Sequence, residues 1–155
     1  RLGRRILLEN PATYVAFSTS TMDEADFIGA VVERTGCGLL LDVTNAYVAC
    51  TNHGRDPLAY LEALPLESAG EIHLAGFAED RDAAGDPLLI DAHCAPVAEA
   101  VWRLYAQVLA RTGPVATLIE WDNDVPAFDR LHAEARRAET ILAATATEHA
   151  GSFAP

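Results

Sequence analysis

The 155-residue chain is long enough for one domain with a buried core, but too short for a complete (β/α)8 barrel, which needs about 250 residues. Half of its residues are hydrophobic and 22% are charged, a balance typical of a globular domain rather than a disordered one. The 11 basic residues are all arginine and face 23 acidic residues, for a net charge of −12. The absence of lysine excludes P-loop and Schiff-base chemistry, and the acidic charge argues against nucleic-acid binding.

The cysteines and the termini indicate where the protein works. Cys37, Cys50 and Cys94 are an odd number without framework spacing, which predicts free thiols in a reducing compartment and therefore a cytoplasmic location. No apolar run reaches the roughly 18 residues of a membrane span. The chain does not begin with Met and its first apolar run comes almost at once, so we expect it to be the C-terminal part of a longer protein.

Short apolar runs alternate with longer amphipathic stretches along the chain. In chain order, the predicted elements are a strand at 6–8, a helix at 23–34, a strand at 38–41, a helix at 56–64, a strand at 71–74, a polar loop at 78–86, a strand at 87–90, a helix at 96–111, a strand at 116–119 and a helix at 126–144. Pro57 marks the first turn of the second helix, and Gly36 and Gly113 follow helix ends.

This alternation is typical of βαβ units around a parallel sheet, in which helices cover continuous apolar strands. A doubly wound open sheet fits the same order, although the Gly-x-Gly-x-x-Gly turn of a dinucleotide site is absent. We predict an α/β fold, a partial TIM-like barrel of about five parallel strands with flanking helices. The barrel portion is predicted to cover residues 1–145, and residues 146–155 are predicted to be a flexible tail.

Polar side chains that can bind metals follow each predicted strand. They are Glu9, Asp42, His73, the pair Asp91 and His93, and the pair Glu120 and Asp122. The carboxyl ends of parallel barrel strands meet on one face, where the active site of such enzymes lies. Carboxylates gathered there repel one another unless a cation lies between them, and mixed histidine and carboxylate ligation suits iron, manganese or zinc. The sequence therefore predicts a metal site at the strand ends.

Each of these residues also has a structural explanation. An acidic residue after a strand is often a helix cap, and a histidine such as His73 on a strand is often a hydrogen-bonded core residue. Asp122 could face a substrate or accept hydrogen bonds within its own loop. His53 lies in a predicted loop after the second strand, where it could contact substrate or bond only within the loop. The residues alone leave these alternatives open.

Six short stretches together resemble the UPF0276 (DUF692) family, the multinuclear non-haem iron-dependent oxidases. The stretches are LLENP at 7–11, LDVTNAYV at 41–48, NHG at 52–54, EIHLAGF at 71–77, IDAH at 90–93 and LIEWD at 118–122. Their order and spacing agree with the C-terminal part of that family over nearly the whole chain. The resemblance rests on the set, since no single motif would be specific.

The resemblance implies a TIM-like barrel that holds two or three iron ions in mixed Fe(II) and Fe(III) states. By the same resemblance, the iron ligands are Glu9, Asp42, His73, Asp91, His93 and Glu120. Of these ligands, Asp42, His73, Asp91 and Glu120 are expected to take part in catalysis. Asn10 and Asn45 are expected to orient carboxylates around the cofactor. The residues expected to contact substrate are Asn45, His53 and Asp122.

The resemblance further implies that the enzyme uses dioxygen to oxidise a ribosomally made precursor peptide at cysteine, as a step in the maturation of a peptide natural product. A small partner protein that presents the peptide is expected, whereas a nucleic acid or a membrane is not. Two other functions remain open from the sequence. One is a divalent-metal isomerase or endonuclease-like barrel with zinc or manganese, and the other is a non-catalytic, truncated barrel that acts as a binding module.

Overall fold

The computed structural model describes residues 3–152 of the chain, with side chains up to residue 147. The helices are α1 (Glu24–Thr35), α2 (Val43–Asn52), α3 (Pro57–Ala63), α4 (Glu99–Thr112) and α5 (Phe128–Ser152). The strands are β1 (Leu7–Glu9), β2 (Gly38–Asp42), β3 (Ala69–Ala75), β4 (Ala78–Arg81), β5 (Pro87–Ile90) and β6 (Thr117–Glu120). A 3-10 turn, Leu66–Ser68, precedes β3.

Four strands form one parallel sheet in the order β1-β2-β3-β6. Because the strands run in the same direction, their carboxyl ends lie at one edge of the sheet. In the register of the strands, Asp42 lies beside His73, and Ala75 lies beside Glu120. The predicted α/β class and the parallel sheet with flanking helices are confirmed, but the described sheet has four strands rather than about five.

The predicted fourth parallel strand is wrong, because β5 belongs to an antiparallel hairpin. Strand β4 lies within the predicted loop and pairs with β5, so that Ala78 faces Ile90 and Arg81 faces Pro87. The side chain of Asp82 accepts hydrogen bonds from the backbone of Ala84 and Asp86 and closes the turn. Residues 82–86 are too few for the crossover of a dozen or more residues that a parallel connection needs.

Two helices also differ from the prediction. Helix α2 follows β2 without a loop, because the carboxylate of Asp42 accepts a hydrogen bond from the backbone N–H of Asn45 and caps the helix. No helix is predicted there from the sequence, which is rich in β-branched and polar residues. Helix α5 runs to Ser152, so residues 146–152 are helical where the sequence predicts a tail. Residues 153–155 lie outside the described part of the chain.

The hydrophobic core lies behind the carboxyl edge and fixes the strands that carry it. Leu41 of β2 and Leu74 of β3 are fully buried, in one cluster with Val101, Tyr105 and Leu109 of α4. Full burial of such an apolar side chain contributes about 1.5–3 kcal/mol. The carboxyl ends of β2 and β3 are therefore anchored by residues of the packed hydrophobic core.

The three cysteines are free thiols, as the sequence predicts. Cys37 and Cys50 are buried, and Cys94 is partly buried. Within residues 3–152, no helix combines the length and the apolar character that a membrane crossing requires.

Gly76 lies directly after β3, in contact with the backbone that follows β5. A Cβ atom at this position would lie 1.8 Å from the carbonyl oxygen of Ala95. We expect Gly76→Ala to displace residues 91–95 and to lower the free energy of unfolding, measured with urea, by about 1–3 kcal/mol. In the control Gly29→Ala, the new Cβ meets nothing within 4 Å and should stabilise α1 by up to about 1 kcal/mol. Equal effects of the two substitutions would contradict this account.

Candidate metal centre

The structure brings all six predicted metal ligands to the carboxyl edge of the sheet. Three are the last residues of parallel strands, one lies near the end of β3, and two follow the hairpin. In chain order they are Glu9, Asp42, His73, Asp91, His93 and Glu120. The sheet and the hairpin therefore build one cluster, although the hairpin is not part of the sheet.

Two triads in this cluster are close enough to hold a metal ion. Ligand atoms of Glu9, Asp42 and His73 lie within 4.8 Å of one another, and so do those of Asp42, His93 and Glu120. Asp42 belongs to both triads. The geometry therefore offers two overlapping metal positions that share one carboxylate.

The ring of His73 is oriented by a carboxylate on its own strand. Its Nε2 lies 3.3 Å from Oε1 of Glu71, which can only accept, so the neutral tautomer that satisfies this contact has its proton on Nε2. Nδ1 lies 3.0 Å from Oε1 of Glu120, but it makes no hydrogen bond with any described group. That tautomer directs the Nδ1 lone pair at the cluster, which is the arrangement of a metal-binding histidine with an outer carboxylate.

His93 is oriented in the same way from the other side. Its Nδ1 lies 3.0 Å from Oδ2 of Asp122, and its Nε2 lies 3.0 Å from Oδ1 of Asp91. Nε2 is buried and makes no hydrogen bond in the described part of the chain. A neutral ring that donates from Nδ1 to Asp122 would present the Nε2 lone pair to the cluster. The backbone of His93 has a φ of 47°, a left-handed conformation that costs a residue other than glycine about 1–3 kcal/mol.

Four potential ligand atoms are buried without a hydrogen-bond partner in the described part of the chain. They are Oδ2 of Asp42, Nδ1 of His73, Oδ1 of Asp91 and Nε2 of His93. A buried polar atom left in this way costs about 1–3 kcal/mol. Carboxylate oxygens and imidazole nitrogens are together the ligands of iron, manganese and zinc. The residues present therefore fit a bound metal ion.

Two asparagines form hydrogen bonds with residues of the cluster. The side chain of Asn10 donates to the carbonyl of Asp42 at 2.8 Å and accepts from its N–H at 2.9 Å. The amide of Asn45 donates to Oε1 of Glu9 at 3.4 Å and to the carbonyl of Asn10 at 3.1 Å. Asn45 therefore contacts a carboxylate of the cluster, whereas Asn10 fixes the backbone of one. Their roles toward cofactor and substrate stay predictions.

Burial dominates the electrostatics of the cluster. It raises the pKa of Asp42 to about 8, although the hydrogen bond from Asn45 opposes the shift. Burial also raises the pKa of Glu9 and Asp91. For His93, burial opposes the charged form, but the surrounding carboxylates, Asp91 foremost, raise its pKa overall. The carboxylates are therefore held in an environment that disfavours their charge unless a cation is present.

A cavity of about 410 Å³ opens onto the cluster. Its walls include Glu9, Asn45, Asp91, His93 and Tyr14, whose hydroxyl accepts a hydrogen bond of 2.7 Å from the N–H of Asp91. The predicted substrate residue Asp122 contacts His93 by its side chain rather than backbone donors of its own loop. Its carboxylate is 69% exposed, so it can also be reached from solvent.

His53 lies apart from the cluster, in a second and larger cavity. This cavity of about 740 Å³ is lined by none of the six predicted ligands. Nε2 of His53 donates to the carbonyl of Thr13 at 3.0 Å, which holds the loop between β1 and α1. That loop separates the two cavities, since Tyr14 lines the first cavity while Thr13 and Val15 line the second.

Sequence reasoning missed two residues of the site. Glu71 has a signal, because side chains two residues apart in a strand point to the same face and Glu71 precedes His73 by two. Tyr14 lies in an irregular loop that has no periodic pattern, and only the folded chain brings it to Asp91.

The chain matches the model of a family described as RiPP precursor modification enzyme MbnB/TglH/ChrH over residues 1–143. A UPF0276 protein of Bordetella parapertussis is 60% identical over 142 residues, which are 92% of this chain and 49% of that protein. A UPF0276 protein of Paraburkholderia phytofirmans is 55% identical over 142 residues, which are 92% and 46% of the two chains. One of Caulobacter vibrioides is 53% identical over 146 residues, or 94% and 51%. The chain spans about half the length of these curated relatives, and the predicted UPF0276 family is confirmed.

The raised pKa of Asp42 has a consequence for stability. Between its ordinary pKa of 3.8 and about 8, Asp42 keeps a proton in the folded protein that it loses in the unfolded chain. The folded state then binds more protons, so the contribution of Asp42 to stability is complete below pH 3.8 and is lost as pH rises to about 8. We expect metal-free protein in a chelator to have a lower free energy of unfolding, measured with urea, at pH 8 than at pH 5.

The matched control for this measurement is Asp42→Asn, which cannot titrate. It should reduce the difference between pH 5 and pH 8 without changing the fold measured by circular dichroism. An unchanged difference in the asparagine variant would show that other groups cause the pH dependence.

Proposed function

We propose that this chain, which belongs to the MbnB/TglH/ChrH family of RiPP precursor modification enzymes, forms the iron-binding part of an oxidase that modifies a cysteine-containing precursor peptide with dioxygen. The observation that carries the proposal is the set of unpartnered carboxylate and imidazole atoms at the carboxyl edge of the sheet. Such mixed ligation suits iron among the metals that support oxidation. The family match supplies the precursor peptide as the substrate class.

The proposed iron ligands are Glu9, Asp42, His73, Asp91, His93 and Glu120. Iron bound there would supply the redox chemistry, namely the activation of dioxygen and the oxidation of the residue that carries the thiol. Asp42, which belongs to both triads, is proposed to contact two ions. Because burial raises its pKa to about 8, Asp42 must release a proton when a metal ion binds near neutral pH.

The other polar residues of the site are proposed to orient the ligands. Glu71 and Asp122 accept from the outer nitrogens of His73 and His93 and keep the inner lone pairs directed at the cluster. Asn45 holds Glu9 from below. His73, His93 and Glu9 are thus held in place before a metal ion arrives, which lowers the cost of ordering the site on binding.

The substrate is proposed to reach the cluster through the smaller cavity, where Asn45 would contact it. The exposed carboxylate of Asp122, which contacts His93, is proposed to meet the substrate beside that cavity. A peptide is longer than one residue, so it would also follow the loop that separates the two cavities and meet His53 in the larger one. The net charge of −12 favours a basic peptide or a basic presenting protein.

We further propose that the four-stranded sheet is part of a TIM-like barrel and that the protein works in the cytoplasm. The parallel order of the strands and the gathering of the site at their carboxyl ends support the barrel. The three free thiols support a reducing compartment.

The proposal is tested by the metal content of protein expressed with added iron and purified without oxygen. We expect two or more iron ions per chain by mass spectrometry, together with an iron signal in electron paramagnetic resonance. Zinc or manganese without iron would favour a divalent-metal isomerase or endonuclease-like enzyme. Protein without any metal would favour a non-catalytic binding module.

The substitutions His73→Ala and Asp91→Ala should each remove about one metal ion or more per chain while the scaffold stays folded, because each deletes one ligand of a site with few ligands. His132→Ala is the matched control, since His132 is exposed on α5 and stacks on Phe128. Full metal content in the His73 or Asp91 variant would contradict the ligand assignment.

The proposed contact of His53 with substrate predicts a separation of kinetic constants. With a precursor peptide that the metal-loaded protein modifies, His53→Ala should raise KM by about fivefold, the effect of one lost hydrogen bond, with little change in kcat. The iron content should stay the same, because His53 lies outside the cluster. A lower kcat at unchanged KM would instead indicate that His53 acts only by holding Thr13 and its loop.

A further inference from the structure

We propose that Asn52 is a positioning residue that holds the segment carrying Asp91 and His93 against the edge of the parallel sheet. The expected effect of Asn52 on the metal centre rests on the proposed function. Its evidence is separate, because it comes from the hydrogen bonds of the hairpin and not from the ligands themselves.

The segment needs such support because it lies outside the sheet. Strand β5 pairs with β4 alone in the described structure, so the hydrogen bonds between parallel strands that fix Asp42 and His73 do not extend to it. Residues 91–94 form no regular structure, and His93 adopts a left-handed backbone conformation. Contacts other than strand pairing must therefore set the position of Asp91 and His93.

Asn52 makes the two contacts that a neighbouring strand would make. Its side-chain amide donates to the carbonyl of Leu89 at 2.9 Å, and its side-chain oxygen accepts from the N–H of Leu89 at 2.8 Å. Leu89 lies two residues before Asp91 on the same backbone. The two hydrogen bonds therefore fix the position and the direction of the backbone that leads to Asp91 and His93.

The position of Asn52 on α2 connects the two halves of the cluster. Asp42 caps the start of α2, and Asn52 is the last residue of the same helix. A helix of this length is a rigid spacer of about 15 Å. The shared ligand and the hairpin segment are thus set relative to each other by one helix.

Two loop side chains also contact this segment, and the backbone N–H groups of Asp122 and Asn123 donate to the carbonyl of His93 at 3.0 and 3.1 Å. Tyr14 accepts from the N–H of Asp91 at 2.7 Å, and Asn123 donates to the carbonyl of Ala92 at 2.8 Å. Both residues come from irregular loops at the open face. Asn52 is the one of the three that is anchored in a helix, so its loss should affect the segment most.

The experiment compares Asn52→Ala and Asn52→Leu with the control Asp82→Ala. The leucine variant keeps the size of the side chain but none of its hydrogen bonds. The control removes two hydrogen bonds from the turn of the same hairpin, at the end remote from the ligands. Two quantities are measured: hydrogen exchange of residues 88–93 in the metal-free protein, and iron per chain after loading.

We expect both Asn52 variants to speed exchange at Leu89 and Asp91 by about fivefold or more, while β2 and β3 keep their protection. Both should lose the ion of the triad Asp42, His93 and Glu120 and keep the ion of the other triad. The control should keep wild-type exchange at residues 88–93 and wild-type iron.

Three results would overturn the proposal. The Asn52 variants could match the control in both measurements, they could lose protection across the whole sheet, or they could exchange faster at residues 88–93 with full iron content. If the wild type itself binds no metal, the proposed function fails, and exchange at Asp91 alone then decides whether Asn52 positions the segment.

Discussion

The carboxyl edge of the sheet depends on side chains that hydrogen-bond to backbone as a neighbouring strand would. Three such side chains each exchange two hydrogen bonds with the backbone of one strand residue: Asn10 with Asp42 of β2, Thr44 with Ala75 of β3, and Asn52 with Leu89 of β5. Backbone groups buried at the end of a strand must find partners, and a side-chain amide or hydroxyl can supply them. The first two exchanges add side-chain hydrogen bonds at the carboxyl edge of the parallel sheet, and the third joins the hairpin to α2.

That rigidity is what allows so many carboxylates to be held together. A flexible edge would relieve the repulsion by turning partly buried side chains such as Asp91 out to solvent. Here Asn45 retains Glu9, and burial raises the pKa of Asp42 to about 8 instead of expelling it. The folded chain therefore holds its carboxylates close together at a cost in free energy. A bound cation would reduce this cost, which couples metal binding to stability.

The sequence predicted those parts of the arrangement that follow from the periodicity of apolar residues and from the order of strands and helices along the chain. The apolar runs predicted the positions of all four parallel strands. The polar residues predicted at the strand ends include Asp42 and Glu120, which are the last residues of β2 and β6. The hairpin was mistaken for a parallel strand because an apolar run such as 87–90 carries no sign of its partner. Helix α2 was missed because its start depends on the cap made by Asp42, and Asn52 was missed because its partner Leu89 is distant in sequence.

The two triads differ in how firmly they are built, and this difference suggests an order of assembly. Glu9, Asp42 and His73 all belong to strands of the parallel sheet, so their triad is complete once the sheet has formed. The other triad needs His93, which reaches the cluster from an irregular segment with strained backbone. A ligand attached to such a segment opens locally at lower cost than one on a core strand. The first triad should therefore bind its ion more tightly, and the second ion should be the one that reports on the state of the hairpin.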